Sequence, residues 1–305
     1  MAYHDPGAAD PLSLYGVVPP TVTAYHEDES VDYETTAAHA RFVVDRGAHG
    51  AFPLGTNGEF PLLSGEERDR VVEAVVDEVG DEVPVIAGVG APSTYRTVAH
   101  AEHAESVGAD SIVVVTPYYY PLDHRGALEH YRRVAEAVSL PVYIYHIPSK
   151  TGNELSLETL ADLAAIDAVA GVKDSSKDVP WLAQAIDAHP DLTFLAGSDS
   201  LVFTGLEVGC SGAVSAVANA FPELVVDCYA AYDAGEEDRA RELQSDIFRV
   251  RNAFKTGGAY MSGVKTALRM REFDAGPLRS PLRRKDDDSA AEMRERLRGL
   301  DLEGI

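Results

Sequence analysis

Short apolar runs rich in β-branched residues alternate with helix-period stretches along most of this chain. The runs lie at residues 16–25, 50–55, 84–89, 111–117, 141–148, 169–175, 192–198 and 210–217. Runs of this length suit strands buried on both faces, as in a parallel sheet. Between them, residues 31–47, 66–80, 94–108 and 127–139 read as helices. Gly47, Gly80 and Gly108 stand where helix ends favour a left-handed residue. Ser64-Gly65-Glu66-Glu67 has the form of a capping box, with Ser64 as N-cap and Glu67 reaching back.

Eight strand–helix units are the repeat of a (β/α)8 TIM barrel. A doubly wound open sheet is the competing α/β fold, and it carries a glycine-rich fingerprint after its first strand. Here the first run enters Pro19-Pro20-Thr21, so the barrel is the expectation. After residue 217 only helical patterns remain, at 222–234, 237–254, 259–271 and 290–300. Residues 1–235 are therefore expected to form the barrel with an N-terminal arm. Residues 236–305 are expected to form a C-terminal helical extension packed on it. The charge run at 285–288 is expected to be a solvated loop.

Chemistry in such a barrel gathers at the C-terminal ends of the strands. Lys173 lies in the apolar run at 169–175, and a buried lysine without a task is rare. Burial disfavours the ammonium and frees the amine as a nucleophile toward a carbonyl. The plainer reading is a strand-end lysine paired to Asp174. Two other strand ends count against it. Gly55-Thr56-Asn57-Gly58-Glu59 forms a tight turn able to present backbone N–H groups to a carboxylate. Tyr145 lies near the end of the strand that Pro148 closes. Tyr118-Tyr119-Tyr120 ends the fourth run and Gly197-Ser198-Asp199 the seventh.

The chain has 50 Asp+Glu against 26 Lys+Arg, a formal net charge of −24. Lysine is scarce: Lys150, Lys173, Lys177, Lys255, Lys265 and Lys285 are the full set. Dispersed acid with little lysine fits a protein working in high salt, where screening removes self-repulsion. Where lysine is avoided, those retained are candidates for roles. No basic face is evident, so nucleic acid is not an expected partner. Cys210 and Cys228 suggest neither a disulfide framework nor a metal site. His100 and His103 read as a surface pair. No metal and no organic cofactor are expected. With neither a signal segment nor an apolar run of spanning length, a cytoplasmic location away from membranes is expected.

Five segments, in order, resemble the pyruvate-dependent class I aldolase family, which includes dihydrodipicolinate synthase and N-acetylneuraminate lyase. They are Gly55–Glu59, Thr116-Pro117-Tyr118-Tyr119, Tyr145-His146-Ile147-Pro148, Gly171-Val172-Lys173-Asp174 and Gly197-Ser198-Asp199. The resemblance implies that Lys173 forms a Schiff base with the keto carbon of pyruvate and that Tyr145 shuttles a proton. It implies that Thr56 links Tyr145 to Tyr119, the latter supplied by a neighbouring subunit. Backbone around Thr56, Asn57 and Gly58 would hold the pyruvate carboxylate. Gly197, Ser198 and Val214 would line the same site.

Within the family, Tyr118–Pro121 and Gly197–Phe203 look like archaeal 2-keto-3-deoxygluconate aldolases. The implied reaction is reversible cleavage of 2-keto-3-deoxygluconate, or its 6-phosphate, to pyruvate and glyceraldehyde or its 3-phosphate, a step of an Entner–Doudoroff route. The alternatives are synthase-type condensation of pyruvate with aspartate semialdehyde and dehydration of a keto-deoxy acid. Synthases carry an arginine clamp where this chain has Lys150, and an ammonium cannot replace a planar bidentate clamp. Arg125, Lys150 and Lys255 are the basic residues that could meet a phosphate. The resemblance also implies a homotetramer.

Overall fold

The computed structural model describes residues 14–300 together with 302 and 304. Its strands are β1 (Gly16–Val17), β2 (Ile86–Gly88), β3 (Ser111–Val115), β4 (Val142–His146), β5 (Val169–Asp174), β6 (Thr193–Ala196) and β7 (Gly212–Ala213). All pair in parallel, in the order β1-β7-β6-β5-β4-β3-β2.

Residues 49–53 fill the gap between β1 and β2. On one edge the His49 N–H donates to Val17 O (2.8 Å) and the Phe52 N–H to Pro19 O (3.0 Å). On the other, the Ile86 N–H donates to Ala51 O (2.9 Å) and the Gly88 N–H to Pro53 O (3.0 Å). The second apolar run thus closes the sheet into a ring through a single bridge, Ala51 to Val85. It does not form a full strand, because Pro19, Pro20, Pro53 and Pro84 remove ladder donors along this seam. The same prolines shorten the first run to the two residues of β1.

Around the ring lie α1 (Tyr33–Val44), α2 (Gly65–Val79), α3 (Thr94–Ser106), α4 (His124–Ala137), α5 (Pro148–Thr151), α6 (Leu157–Ala164), α7 (Val179–Ala188), α8 (Val202–Glu207) and α9 (Pro222–Asp233). The chain continues through α10 (Glu237–Phe254), α11 (Tyr260–Met270) and α12 (Asp287–Leu297). Among the described residues no helix is long and apolar enough to cross a membrane.

The capping box before α2 is present. Ser64 accepts from the Glu67 N–H (3.2 Å) and Glu67 accepts from the Ser64 N–H (2.8 Å). Gly47 and Gly108 are left-handed, both at φ +89°. Gly80 is not: its φ is −63°. A Cβ there would stand 2.6 Å from Val76 O, so close approach to the helix accounts for the glycine.

Two surface expectations are corrected. The charge run at 285–288 is solvated over Asp286–Asp288, but it is the start of a helix rather than a free loop. Lys285 is buried and donates to Thr256 O. Asp286 caps α12 by accepting from the Ser289 N–H (2.8 Å), and Asp287 and Asp288 fill its first turn, where the helix dipole favours acids. His100 and His103 face inward from α3 onto α2, 3.0 Å from Asp69 Oδ1 and 3.2 Å from Asp69 O respectively. Their i,i+3 spacing puts both on the helix face that meets α2.

Candidate active site

A register shift aligns the two principal side chains. Val142 faces Val169, but Tyr143 faces Gly171, so Ala170 is an extra residue in β5. Continuing the first register would set Tyr145 against Val172. The shift sets it against Lys173 and sets His146 against Asp174. Because side chains alternate along a strand, this one residue puts tyrosine and lysine on the same face of the sheet.

Lys173 Nζ lies 3.3 Å from the centroid of the Tyr145 ring and 3.4 Å from Ser175 Oγ. The Ser175 hydroxyl donates to Gly197 O (2.8 Å). A Cβ at residue 197 would collide with Ser175 Oγ and stand 2.7 Å from Asp174 O, so only glycine lets the end of β6 approach this closely. Tyr145 OH and Thr56 Oγ1 are 3.2 Å apart. Thr56 and Asn57 open a 3₁₀ turn (Thr56–Gly58) that Glu59 ends in the left-handed region at φ 54°.

Asp174 does not pair with Lys173. It faces the opposite side, where the His146 Nδ1–H donates to its Oδ1 (2.9 Å) and the Ser176 hydroxyl donates to its Oδ2 (2.9 Å). His146 Nε2 accepts from the Leu155 N–H (3.2 Å), and the ring packs on Trp181 with centroids 4.6 Å apart. The plainer reading of Lys173 is therefore overturned.

Burial lowers the pKa of the Lys173 amine, against the opposing pull of Tyr145, Asp174 and Asp199. For Tyr145, burial resists ionisation, but the Lys173 charge and bonds to Lys173, Thr56 and Ser175 outweigh it. The phenol's pKa falls below its ordinary value. A lowered amine beside a lowered phenol suits a site that makes a nucleophile and then moves a proton.

A cavity of about 410 Å³ opens over these groups. It brings together eight of the ten sequence candidates: Lys173, Tyr145, Thr56, Asn57, Gly197, Ser198, Val214 and Lys150. Gly58 lies behind the wall, its carbonyl accepting from Thr23 Oγ1 (2.7 Å). Tyr119 is outside the cavity, 84% exposed, at φ +84° and edge-on to Tyr120. Arg125 is exposed on α4 and does not reach the cavity either.

The C-terminal helices supply wall residues that the sequence reading missed. Arg251, Gly258, Tyr260 and Met261 line the mouth, with Lys177 from the loop after β5 and Lys255, which that reading had singled out. The Tyr260 hydroxyl donates to Asp199 Oδ2 (2.6 Å), while Asp199 Oδ1 accepts from Ser215 Oγ (2.7 Å) and the Val217 N–H (2.9 Å). Residues 237–271 read as packing helices, and nothing in that pattern marks Arg251 or Tyr260. The rarity of lysine did mark Lys177 and Lys255.

A parallel α/β barrel with a buried amine among tyrosine, threonine and glycine at the strand ends defines a carbonyl-handling lyase. The chain belongs to the dihydrodipicolinate synthetase family, whose model matches residues 13–299. It is 71% identical over 297 residues to an uncharacterized DapA-like lyase of Halobacterium salinarum, covering 97% of each chain. It is 33% identical over 296 residues to a 4-hydroxy-tetrahydrodipicolinate synthase of Haloarcula marismortui, covering 96% of each. Among solved structures it resembles YagE, a prophage protein of this family from E. coli K12 in complex with pyruvate. The TM-score is 0.88 at 29% identity, covering 92% of this chain and 96% of that one. Members of the family are pyruvate-dependent lyases, and this chain is a carbon–carbon lyase of that kind.

Proposed function

We propose that the protein is a Schiff-base aldolase that reversibly cleaves 2-keto-3-deoxygluconate, its 6-phosphate, or both, to pyruvate and glyceraldehyde or its 3-phosphate. The observation that carries the chemistry is the Lys173 amine, buried beside the Tyr145–Thr56 pair and facing no carboxylate. The neutral amine attacks the C2 keto carbon, and loss of water leaves an iminium. Tyr145 as phenolate takes the C4 hydroxyl proton. The C3–C4 bond then breaks, its electrons passing to the iminium as an enamine while the aldehyde leaves. Protonation at C3 and hydrolysis release pyruvate and restore the amine. The backbone N–H groups of the Thr56–Asn57 turn hold the carboxylate, and Gly197 and Val214 line the same site. Tyr119 acts in the site of a second copy, in a homotetramer of a cytoplasmic enzyme.

One observation supports this substrate over aspartate semialdehyde. Lys150 stands where synthases carry the arginine clamp, and an ammonium offers no planar fork. Synthase-type condensation remains the second reading, favoured by the name of the Haloarcula relative.

The test is pyruvate release from 2-keto-3-deoxygluconate and from its 6-phosphate in high salt, with Lys173→Ala as control. Release that vanishes in the variant is expected. No release from either compound, with pyruvate instead consumed in the presence of aspartate semialdehyde, would install the synthase reading.

A further inference from the structure

His146 and Asp174 are buried titratable residues, and neither lines the cavity. They form the last rung of the β4–β5 ladder, one residue beyond Tyr145 and Lys173. Both side chains are 1% exposed, on the side of the sheet that meets α7. The Leu155 N–H donates to His146 Nε2, so that nitrogen carries no proton and Nδ1–H is the donor to Asp174. The Asp174 carboxylate also accepts from the Ser176 N–H (3.2 Å) and the Ser176 hydroxyl (2.9 Å). The Trp181 indole N–H donates to Leu155 O (2.9 Å), which ties α7 to the same group.

The main chain of the two residues holds the cavity wall. The Ser175 N–H donates to His146 O (2.8 Å) and the Gly197 N–H to Asp174 O (2.7 Å). Lys150 lies between His146 and Leu155 in sequence, Lys177 directly follows Ser176, and both line the cavity. A buried pair of this kind adds little net stability, because desolvation offsets the attraction. What it can do is discriminate between registers. The two strands already contain one register shift. A slip by one residue at the last rung would set His146 against Lys173 and strand the Asp174 carboxylate. Gly171, where a Cβ would stand 2.7 Å from the Tyr143 ring, fixes the other end of the shifted stretch.

We infer that His146 and Asp174 are positioning residues for the Schiff-base chemistry: their hydrogen bond locks the last rung of β4 and β5 and so holds the Tyr145 phenol against the Lys173 amine. Neither touches the substrate, and both act through the strands that carry the reacting groups. A misplacement of about 1 Å at a reacting group can cost about 10²-fold in rate. The inference rests on Lys173 forming an iminium with pyruvate, and not on which aldehyde is released.

Pyruvate alone reads the two functions apart. Borohydride trapping needs the Lys173 amine. Exchange of the pyruvate C3 protons in heavy water needs the iminium and an aligned base. The base takes a C3 proton, the resulting enamine takes back a deuteron, and hydrolysis returns labelled pyruvate. Tyr145→Phe marks the exchange rate of a site without its phenol. The double variant His146→Leu, Asp174→Leu strands no buried charge, so it is expected to fold and to keep trapping. Its exchange is expected to fall about 10²-fold, toward that of Tyr145→Phe. His146→Asn keeps a donor for Asp174 and is expected to recover most of the exchange. Wild-type exchange in the double variant, or equal loss of trapping and exchange, overturns the inference. The Tyr145 phenol gives a reading without turnover, as the phenolate absorbance lost on Tyr145→Phe substitution in each background. It is expected to titrate at higher pH in the double variant, because the Lys173 charge that holds it down is displaced. An unmoved titration overturns the positioning role, whereas wild type that traps no pyruvate overturns the Schiff-base reading beneath it.

Discussion

The amine of Lys173 owes its reactivity to what it does not face. Asp174, its sequence neighbour, turns to the other side of β5 and serves His146 and Ser176. Lys173 keeps an aromatic ring, a serine hydroxyl and an apolar wall. Removing the Tyr145 hydroxyl separates its two duties. In Tyr145→Phe the ring remains to bury the amine, so borohydride trapping of pyruvate should persist. The proton shuttle is gone, so kcat for cleavage should fall about 10²–10⁴-fold. Equal loss of trapping and of cleavage would assign Tyr145 to Schiff-base formation instead. These residues were legible because reactive side-chain types stood at strand ends, where the barrel concentrates chemistry. Arg251 and Tyr260 were not, because a helix pattern reports packing and is silent about what its last turn overlooks.

At the scale of elements, the turn at 55–59 is tied to the far end of the chain. Glu59 is buried, with Oε1 3.1 Å from Lys265 Nζ of α11 and Oε2 accepting from the Arg279 N–H (3.0 Å). Burial lowers Lys265 to about 8 and raises Glu59, so neither charge is comfortable without the other. Glu59→Gln strands a buried ammonium, and a loss of about 3–5 kcal/mol in urea unfolding is expected. The double variant Glu59→Gln, Lys265→Met should recover part of that loss, because coupled groups are not additive. A double variant as unstable as the sum of the singles would show that the pair does not couple. The strand–helix alternation made the barrel readable, but two of its details left no trace in the pattern. The prolines that reduce the second strand to a bridge act through missing donors. The extra Ala170, which aligns Tyr145 with Lys173, is an ordinary apolar residue in an apolar run.

Charge at the scale of the whole molecule is lopsided, with 50 acidic side chains against 26 basic ones. The acidic balance leaves pH sensitivity to groups that the core cannot let charge. His39 is enclosed between Asn219 O (3.0 Å) and the Val22 N–H (3.4 Å), and burial pushes its pKa to about 4. His130 sits beside Thr94 Oγ1 (2.9 Å), its Nε2 is buried without a partner, and burial together with Arg133 pushes it to about 4. Both values lie below the unfolded value of 6.5, so the unfolded chain binds more protons between pH 4 and 6.5. Stability held above pH 6.5 is therefore lost as pH falls toward 4, by about 3 kcal/mol for each histidine. Carboxylates titrate in part of the same range, so the variant His130→Asn isolates one group. It keeps a polar atom near Thr94 and has no proton to take up. Urea midpoints of wild type and variant, taken at pH 7.5 and at pH 4.5 in the same salt, should converge at the lower pH. A constant gap between them would mean that His130 accepts its charge inside the folded protein.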